Sequence, residues 1–337
     1  MSTTDTLIRS ARFRKEREPG WVQLEKLVTT VEKQGVHALS FADAQDMAAL
    51  YRQAMTSLSL AREISLDKGL LAYLEALCAR AYLAVYAPQE SLHGLVSRLF
   101  LRGFPQAVRR STLPLIVGLL TMALGFLAGY LLFLDDQTWY NTMMPEGLAG
   151  GRGLGSSRDD LLDVIYSDQQ ITGSSLAAFA SFLFSHNTQI AIFVFSLGVL
   201  ICVPSFVLTF YNGMVLGTFF ALHVDRGIGY DLFAWLSIHG VTEIGAIIVA
   251  CSGGFVLGLA VLFPGEMTRR DALRHAGRDA VKLALLAAFM LIIAAILEGF
   301  FRQLVQDPVT RITIGWGMGA FWLLYWTLGG RGKEPER

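Results

Sequence analysis

Apolar residues follow two different rhythms along this chain. In the first third they recur every three or four positions among polar neighbours: Trp21, Leu24, Leu27, Val28 and Val31; then Met47, Leu50, Tyr51, Ala54, Leu58 and Ala61; then Leu70, Leu74, Leu77, Ala81 and Val85. That spacing predicts three amphipathic helices, with Ser40, Asp43 and Asp46 starting the second and Pro88 stopping the third. From residue 112 onward the apolar residues run together, as they do in segments that cross a bilayer.

The run at 112–134, TLPLIVGLLTMALGFLAGYLLFL, is the clearest span. Arg109 and Arg110 precede it and Asp135 and Asp136 follow it, so the N-terminal part is placed in the cytoplasm and the segment after the span outside. That outer segment, 135–187, holds seven acids against Arg152 and Arg158 alone. The loop PGEMTRRDALRHAGRDAVK, with Arg269, Arg270, Arg274, Arg278 and Lys282, is placed inside. A span at 238–263 then runs inward, one at 279–301 returns outward, and one at 312–328 brings the C-terminus back inside. Residues 188–222 must therefore begin and end outside. Two short crossings turning near Pro204 and Ser205 satisfy this, as does a re-entrant hairpin, and two crossings are preferred. The stretch 174–187, SSLAAFASFLFSHN, is too short to span and is expected to form an outer interfacial or re-entrant helix.

The fold class expected is all-α: a polytopic membrane helical bundle of about six spans. An N-terminal cytoplasmic helical domain occupies 1–90, an amphipathic interfacial helix 91–111, and the transmembrane domain 112–330, with its acidic external insert at 135–187. The interfacial helix places Leu92, Leu95, Val96, Leu99 and Phe100 on one face and Arg98, Arg102, Arg109 and Arg110 toward the other. Its arginines adjoin a span, which favours a membrane surface over nucleic acid.

Composition agrees, with 53% hydrophobic and only 17% charged residues, against the roughly 25% charged usual for soluble domains. The N-terminal residues hold no apolar core of secretory length, so no cleavable signal is expected. Cys78, Cys202 and Cys251 show no paired spacing, which points to neither a disulfide framework nor a thiolate metal site. The glycine-rich GGRGLGSS at 150–157 lacks the lysine of a phosphate-binding loop and is expected to be a flexible loop. No cofactor is implied.

Four glycine pairs share a GxxxG spacing: Gly125 with Gly129, Gly213 with Gly217, Gly254 with Gly258, and Gly315 with Gly319. In lipid such pairs line close helix contacts, either inside the bundle or at a homo-oligomer seam, a dimer being favoured. Six polar residues are candidates for an intramembrane site: Asn187, Asn212, His239, Glu243, Glu298 and Arg302. A carboxylate at the centre of a span costs at least about 2.5–3.5 kcal/mol, so one that persists faces a bundle interior, a cavity or a partner. His239 and Glu243 are four apart and share a helix face, as do Glu298 and Arg302, which could form an ion pair near the outer end of their span. His239 and Glu243 lack the second histidine of H-E-x-x-H, so zinc hydrolysis is disfavoured and no metal site or catalytic residue is expected.

Several stretches are similar to the stage II sporulation protein M family. They are RFRKEREPGWVQLEKLV, LYRQAMTSLSLAREISLD and LLAYLEALCARAYLAVYAP in the soluble part, and SHNTQIAIFVFSLGVL, FYNGMVLG and IHGVTEIGAIIVACSGGFVLG in the membrane part. Ile296, Leu297, Glu298, Gly299 and Phe300 extend the likeness, which covers nearly the whole chain. The family commonly has a proline before the histidine and ELPA after it, where this chain has Ile238 and EIGA. The resemblance implies a non-enzymatic protein of the bacterial inner membrane. It would anchor or scaffold a cell-envelope complex, with peptidoglycan-remodelling proteins or a MoxR-type ATPase system as partners.

Two functions therefore compete. The leading expectation is a homo-oligomeric envelope scaffold. The alternative is a transporter or channel for a proton, cation or small polar substrate, in which His239 and Glu243 bind the cargo beside Asn212 and the exposed backbone of a broken hairpin. A purely structural role is also open, in which these groups satisfy backbone at broken helices; what distinguishes it is whether His239 and Glu243 converge with Asn212, Glu298 or a second chain on an enclosed cavity or only hydrogen-bond to backbone.

Overall fold

The computed structural model of the chain describes residues 3–64, 68–86, 92–166, 173–301 and 304–331. All regular elements among them are helical. They form two units, Met1–Leu95 and Val96–Arg337.

The first unit contains α1 (Thr3–Gln34), α2 (Phe41–Ile64) and α3 (Lys68–Tyr86). The expected apolar stripes meet: Trp21, Leu24 and Val28 of α1, Met47 and Ala54 of α2, and Leu74, Leu77 and Ala81 of α3 are all buried in one core. Ser40 and Asp43 cap the start of α2 reciprocally. The Asp43 N–H donates to Ser40 Oγ at 3.1 Å, and the Ser40 N–H donates to Asp43 Oδ2 at 3.3 Å. Helix α3 is itself long and apolar enough to cross a membrane, a property the amphipathic reading did not anticipate.

A short helix, α4 (Leu92–Arg98), passes through a π-helical turn at Leu99–Gly103 into α5 (Phe104–Arg110). The interfacial helix expected at 91–111 is therefore interrupted. Leu95 and Val96 of the expected apolar face are exposed, and Phe104, Ala107 and Val108 are buried in the core of the second unit with Leu283, Leu286 and Trp322.

Six long helices build the second unit: α6 (Thr112–Asp135), α10 (Gly173–Ser196), α11 (Val203–Asp225), α12 (Gly229–Leu262), α13 (Arg269–Ile296) and α14 (Pro308–Leu328). Of these, α6, α11, α12 and α13, the last extended to Gly299, meet the length and apolarity of membrane spans. The 24 residues of α10 measure about 36 Å at 1.5 Å per residue, enough to cross the hydrocarbon. Helix α10 corrects the reading of 174–187 as a separate short helix, because that stretch is the first half of a full-length one. The turn that follows also lies earlier than expected. It occupies 197–202, where Ile201 and Cys202 take positive φ angles of 52° and 69°, and Pro204 falls in the first turn of α11. A proline is tolerated there because the N–H it lacks would have had no partner in the helix.

Helix α12 has 34 residues, about 51 Å, longer than the roughly 30 Å hydrocarbon thickness. Residues 229–237, ahead of the span expected at 238–263, are thus already helix, and so is most of the basic loop 264–282, since α13 starts at Arg269 behind a Thr268 cap. All four glycine pairs are used within the chain. Methyl groups at Gly125 and Gly129 would collide with the carbonyls of Phe210 and Met214 on α11, and at Gly213 and Gly217 with α6 in return. Gly254 and Gly258 abut the 197–202 turn and its flanks, and Gly315 and Gly319 abut α12. Lipid drives no hydrophobic association between helices, so close backbone approach of this kind holds the bundle.

The insert after α6 carries three short helices: α7 (Trp139–Met143), α8 (Glu146–Ala149) and α9 (Arg158–Tyr166). It is a folded cap. Tyr140, Leu161 and Ile165 are buried against Phe219, Leu222, Ile228, Leu232 and Trp235 at one end of α11 and α12.

Candidate functional site

Four helices aim polar side chains at one place inside the bundle. His239 and Glu243 lie one turn apart on α12, because 3.6 residues per turn stacks positions four apart. Glu298 comes from the π-helical turn Leu297–Phe301 that ends α13. Such turns add a residue to the helical register and often occur at functional sites. His239 Nε2 lies 4.0 Å from Glu298 Oε1, and both side chains are buried, at 4% and 3% exposure. Asn187, on α10, donates its amide N–H to Glu243 Oε1. Asn212 of α11 joins Asn187, His239 and Glu243 in lining a chamber of about 140 Å³.

The roof of that chamber comes from the insert. Arg152 is 6% exposed, with its guanidinium carbon 4.7 Å from the centre of the Phe219 ring and 5.4 Å from that of Trp235. Cations favour aromatic faces in this way because of the ring quadrupole. Arg152 also donates from Nε to the Ala149 carbonyl at 2.9 Å, and its backbone carbonyl accepts from the Tyr140 hydroxyl at 3.1 Å. The stretch 150–157, expected to be a flexible loop, therefore carries a residue that lines the chamber. Trp235 packs edge-on against His239, with ring centres 5.7 Å apart.

Two further arginines fix the cap. Arg226 donates to the carbonyls of Leu154 and Ser156 at 2.7 and 3.3 Å. Arg311, fully buried at the start of α14, donates to the carbonyls of Val305 and Ile165 at 2.7 and 3.4 Å and to Gln306 Oε1 at 2.8 Å. Tyr166 donates its hydroxyl to Asp231 Oδ1 at 2.6 Å, tying α9 to the first turn of α12. Burial and that carboxylate push the Tyr166 phenol up to about 12.

Of the six expected polar residues, Asn187, Asn212, His239, Glu243 and Glu298 are brought together. Arg302 lies outside the described residues, as does its expected pairing with Glu298, which here neighbours His239. Sequence reasoning missed Arg152, Trp235 and His186, which also line the chamber. One signal pointed to the first: Arg152 and Arg158 are the lone bases of the acidic insert. No group of three or more His, Cys, Asp or Glu with metal-binding geometry occurs among the described residues.

The family model for Stage II sporulation protein M matches residues 116–302, and a Domain of unknown function (DUF8413) matches residues 11–87. No curated protein and no solved structure matches the chain. The two matches fall one in each structural unit, so the family likeness that seemed to run through the whole chain is carried by its membrane part. With more than half of its 337 residues matched, and the chamber residues among them, the chain belongs to the stage II sporulation protein M family of membrane proteins.

Proposed function

We propose that this membrane protein carries a proton or small cation through the polar chamber, with Glu243 as the group that takes the charge. The supporting observation is the convergence of Asn187, Asn212, His239 and Glu243 from three helices on one chamber, with Glu298 of a fourth helix beside His239. Each carboxylate at membrane depth costs about 2.5–3.5 kcal/mol, and polar groups that only repaired a broken helix would not need to gather across the bundle. In this reading Glu243 binds the cation or proton, the amide oxygens of Asn187 and Asn212 complete a neutral shell, and the His239–Glu298 pair accepts or returns a proton to balance charge. Arg152 acts as a tethered cation at the roof, and cargo exchange requires it to move. Enzymatic activity is not assigned, since His239 and Glu243 lack the second histidine of a zinc hydrolase.

Flux in liposomes tests this reading. Protein-containing vesicles should dissipate an imposed proton, sodium or potassium gradient faster than empty ones, and Glu243→Gln should remove the difference. Equal flux through wild type and Glu243→Gln would sink it.

A second reading, an anchor for an envelope complex assembled as a homo-oligomer, is supported by the separate N-terminal unit with its own core. A module of that kind is what docking of a partner, such as a MoxR-type ATPase or a peptidoglycan-remodelling protein, would use. A tagged chain in mild detergent should then recover a stoichiometric partner that is lost when residues 1–90 are removed.

A further inference from the structure

A second cavity, of about 680 Å³, lies between α6 and α14 with α12 as its floor, and its lining is almost wholly apolar. Along α12 it runs from Phe233 to Ile248, about 22 Å at 1.5 Å per residue, which exceeds half of the roughly 30 Å hydrocarbon core. The floor is deep at Gly240. A methyl group there would meet only Leu236, at 3.9 Å, so this glycine opens space where the paired glycines close it. Tryptophans stand at both mouths, Trp316 beside Phe233 and Trp326 beside Thr112, the depths at which indole rings favour the headgroup layer.

The mouth beside Trp326 is basic. Arg109 donates to the carbonyls of Trp326 and Gly329 at 2.7 and 2.6 Å, which fixes its charge beside the groove. Arg110 keeps a side chain 62% exposed while pairing with Asp279 at 3.4 Å, and Arg331 is exposed nearby in sequence to Gly329. Lys282 also pairs with Asp279, at 2.9 Å, so that carboxylate is shared by two cations. Apolar walls with arginines at one end complement an amphiphile that carries a negative charge at one end.

We propose that this groove is a binding site for an anionic phospholipid, with an acyl chain along Gly240 and Leu119 and the phosphate at Arg109 and Arg110. The groove shares Leu216 and Leu236 with the wall of the chamber, and the proposal does not rest on the transport reading. A membrane protein surrounded by lipid meets such a ligand at high local concentration, and juxtamembrane arginines select the anionic headgroup.

Native mass spectrometry after incubation with equimolar phosphatidylglycerol and phosphatidylcholine tests the assignment. Wild type should retain one phosphatidylglycerol per chain in preference to phosphatidylcholine. Arg110→Gln should lower that preference about fivefold while retaining some lipid. Gly240→Leu fills the floor and should abolish retention, and Leu119→Trp, at an exposed wall position, serves where Gly240→Leu fails to fold. Equal retention of both lipids by wild type, or full retention by the folded filling variants, would overturn the proposal. So would a lipid-free dimer that Leu119→Trp dissociates, since it would assign the groove to a second copy.

Discussion

His239 and Glu298 come from different helices, 59 positions apart in sequence, and meet at 4.0 Å in a place neither helix could enclose alone. Their meeting, and the bond from Asn187 to Glu243, turn scattered polar residues into a single centre. Replacing Glu243 by Gln keeps an acceptor for Asn187 and removes a charge from a low-dielectric site. The folded state should be as stable or more so, because buried ions often cost more than they return. Asn187→Leu should instead cost about 1–3 kcal/mol by stranding the carboxylate. Thermal unfolding in detergent separates the two, and the transport reading requires flux to fall in the first variant despite its stability.

Gly129→Ala should be among the most damaging small substitutions in the bundle. Its methyl group meets the Met214 backbone, which cannot move aside without separating α6 from α11. A loss of about 1–3 kcal/mol is expected. Gly317→Ala, with nothing within 4 Å of the added carbon, should stabilise by up to about 1 kcal/mol through helix propensity. Melting temperatures of both variants in one detergent make the comparison.

Arg311→Leu should release the cap. The carbonyls of Val305 and Ile165 would each lose a charged donor, and hydrogen exchange should accelerate across α9 while α6 stays protected. Arg311→Lys should rescue only in part, since one ammonium cannot reproduce the guanidinium fork.

The Tyr166 clasp should weaken in alkali. Its phenol is held up to about 12 against an ordinary value of 10.0, so the stabilisation is fully present below pH 10 and is lost as pH rises toward 12. Tyr166→Phe should remove that part of the pH dependence, read as hydrogen exchange in 158–166 or as the tyrosinate absorbance.

A fragment of residues 1–95 should fold alone, because its apolar stripes are satisfied within the unit. Trp21 is its one tryptophan and 3% exposed, so its fluorescence should shift red in a cooperative denaturant transition. Leu24→Ala should cost about 2–5 kcal/mol. Partition of the folded fragment into vesicles would show whether the apolar length of α3 acts on a membrane.

Local physics made much of this legible from sequence. A span must be a long apolar helix because unsatisfied backbone groups are prohibitive in hydrocarbon, so the runs beginning near residue 112 announced a bundle. Amphipathic spacing announced the three-helix unit just as directly, down to Trp21, Leu24 and Leu74. His239 and Glu243 stood out because ionisable groups are rare in such runs. The GxxxG spacing marked contact surfaces but named no partners.

Tertiary structure decided everything that depends on distance between elements. Helix α10 could not be assigned from sequence because its polar middle, His186, Asn187 and Gln189, reads as an end; that polarity is affordable once Asn187 faces Glu243. The turn at 197–202 rests on positive φ angles that no sequence period encodes. Arg152 read as an ordinary loop charge until the insert folded it over Phe219 and Trp235. Sequence fixes which residues must avoid lipid, and packing alone determines which of them avoid it together.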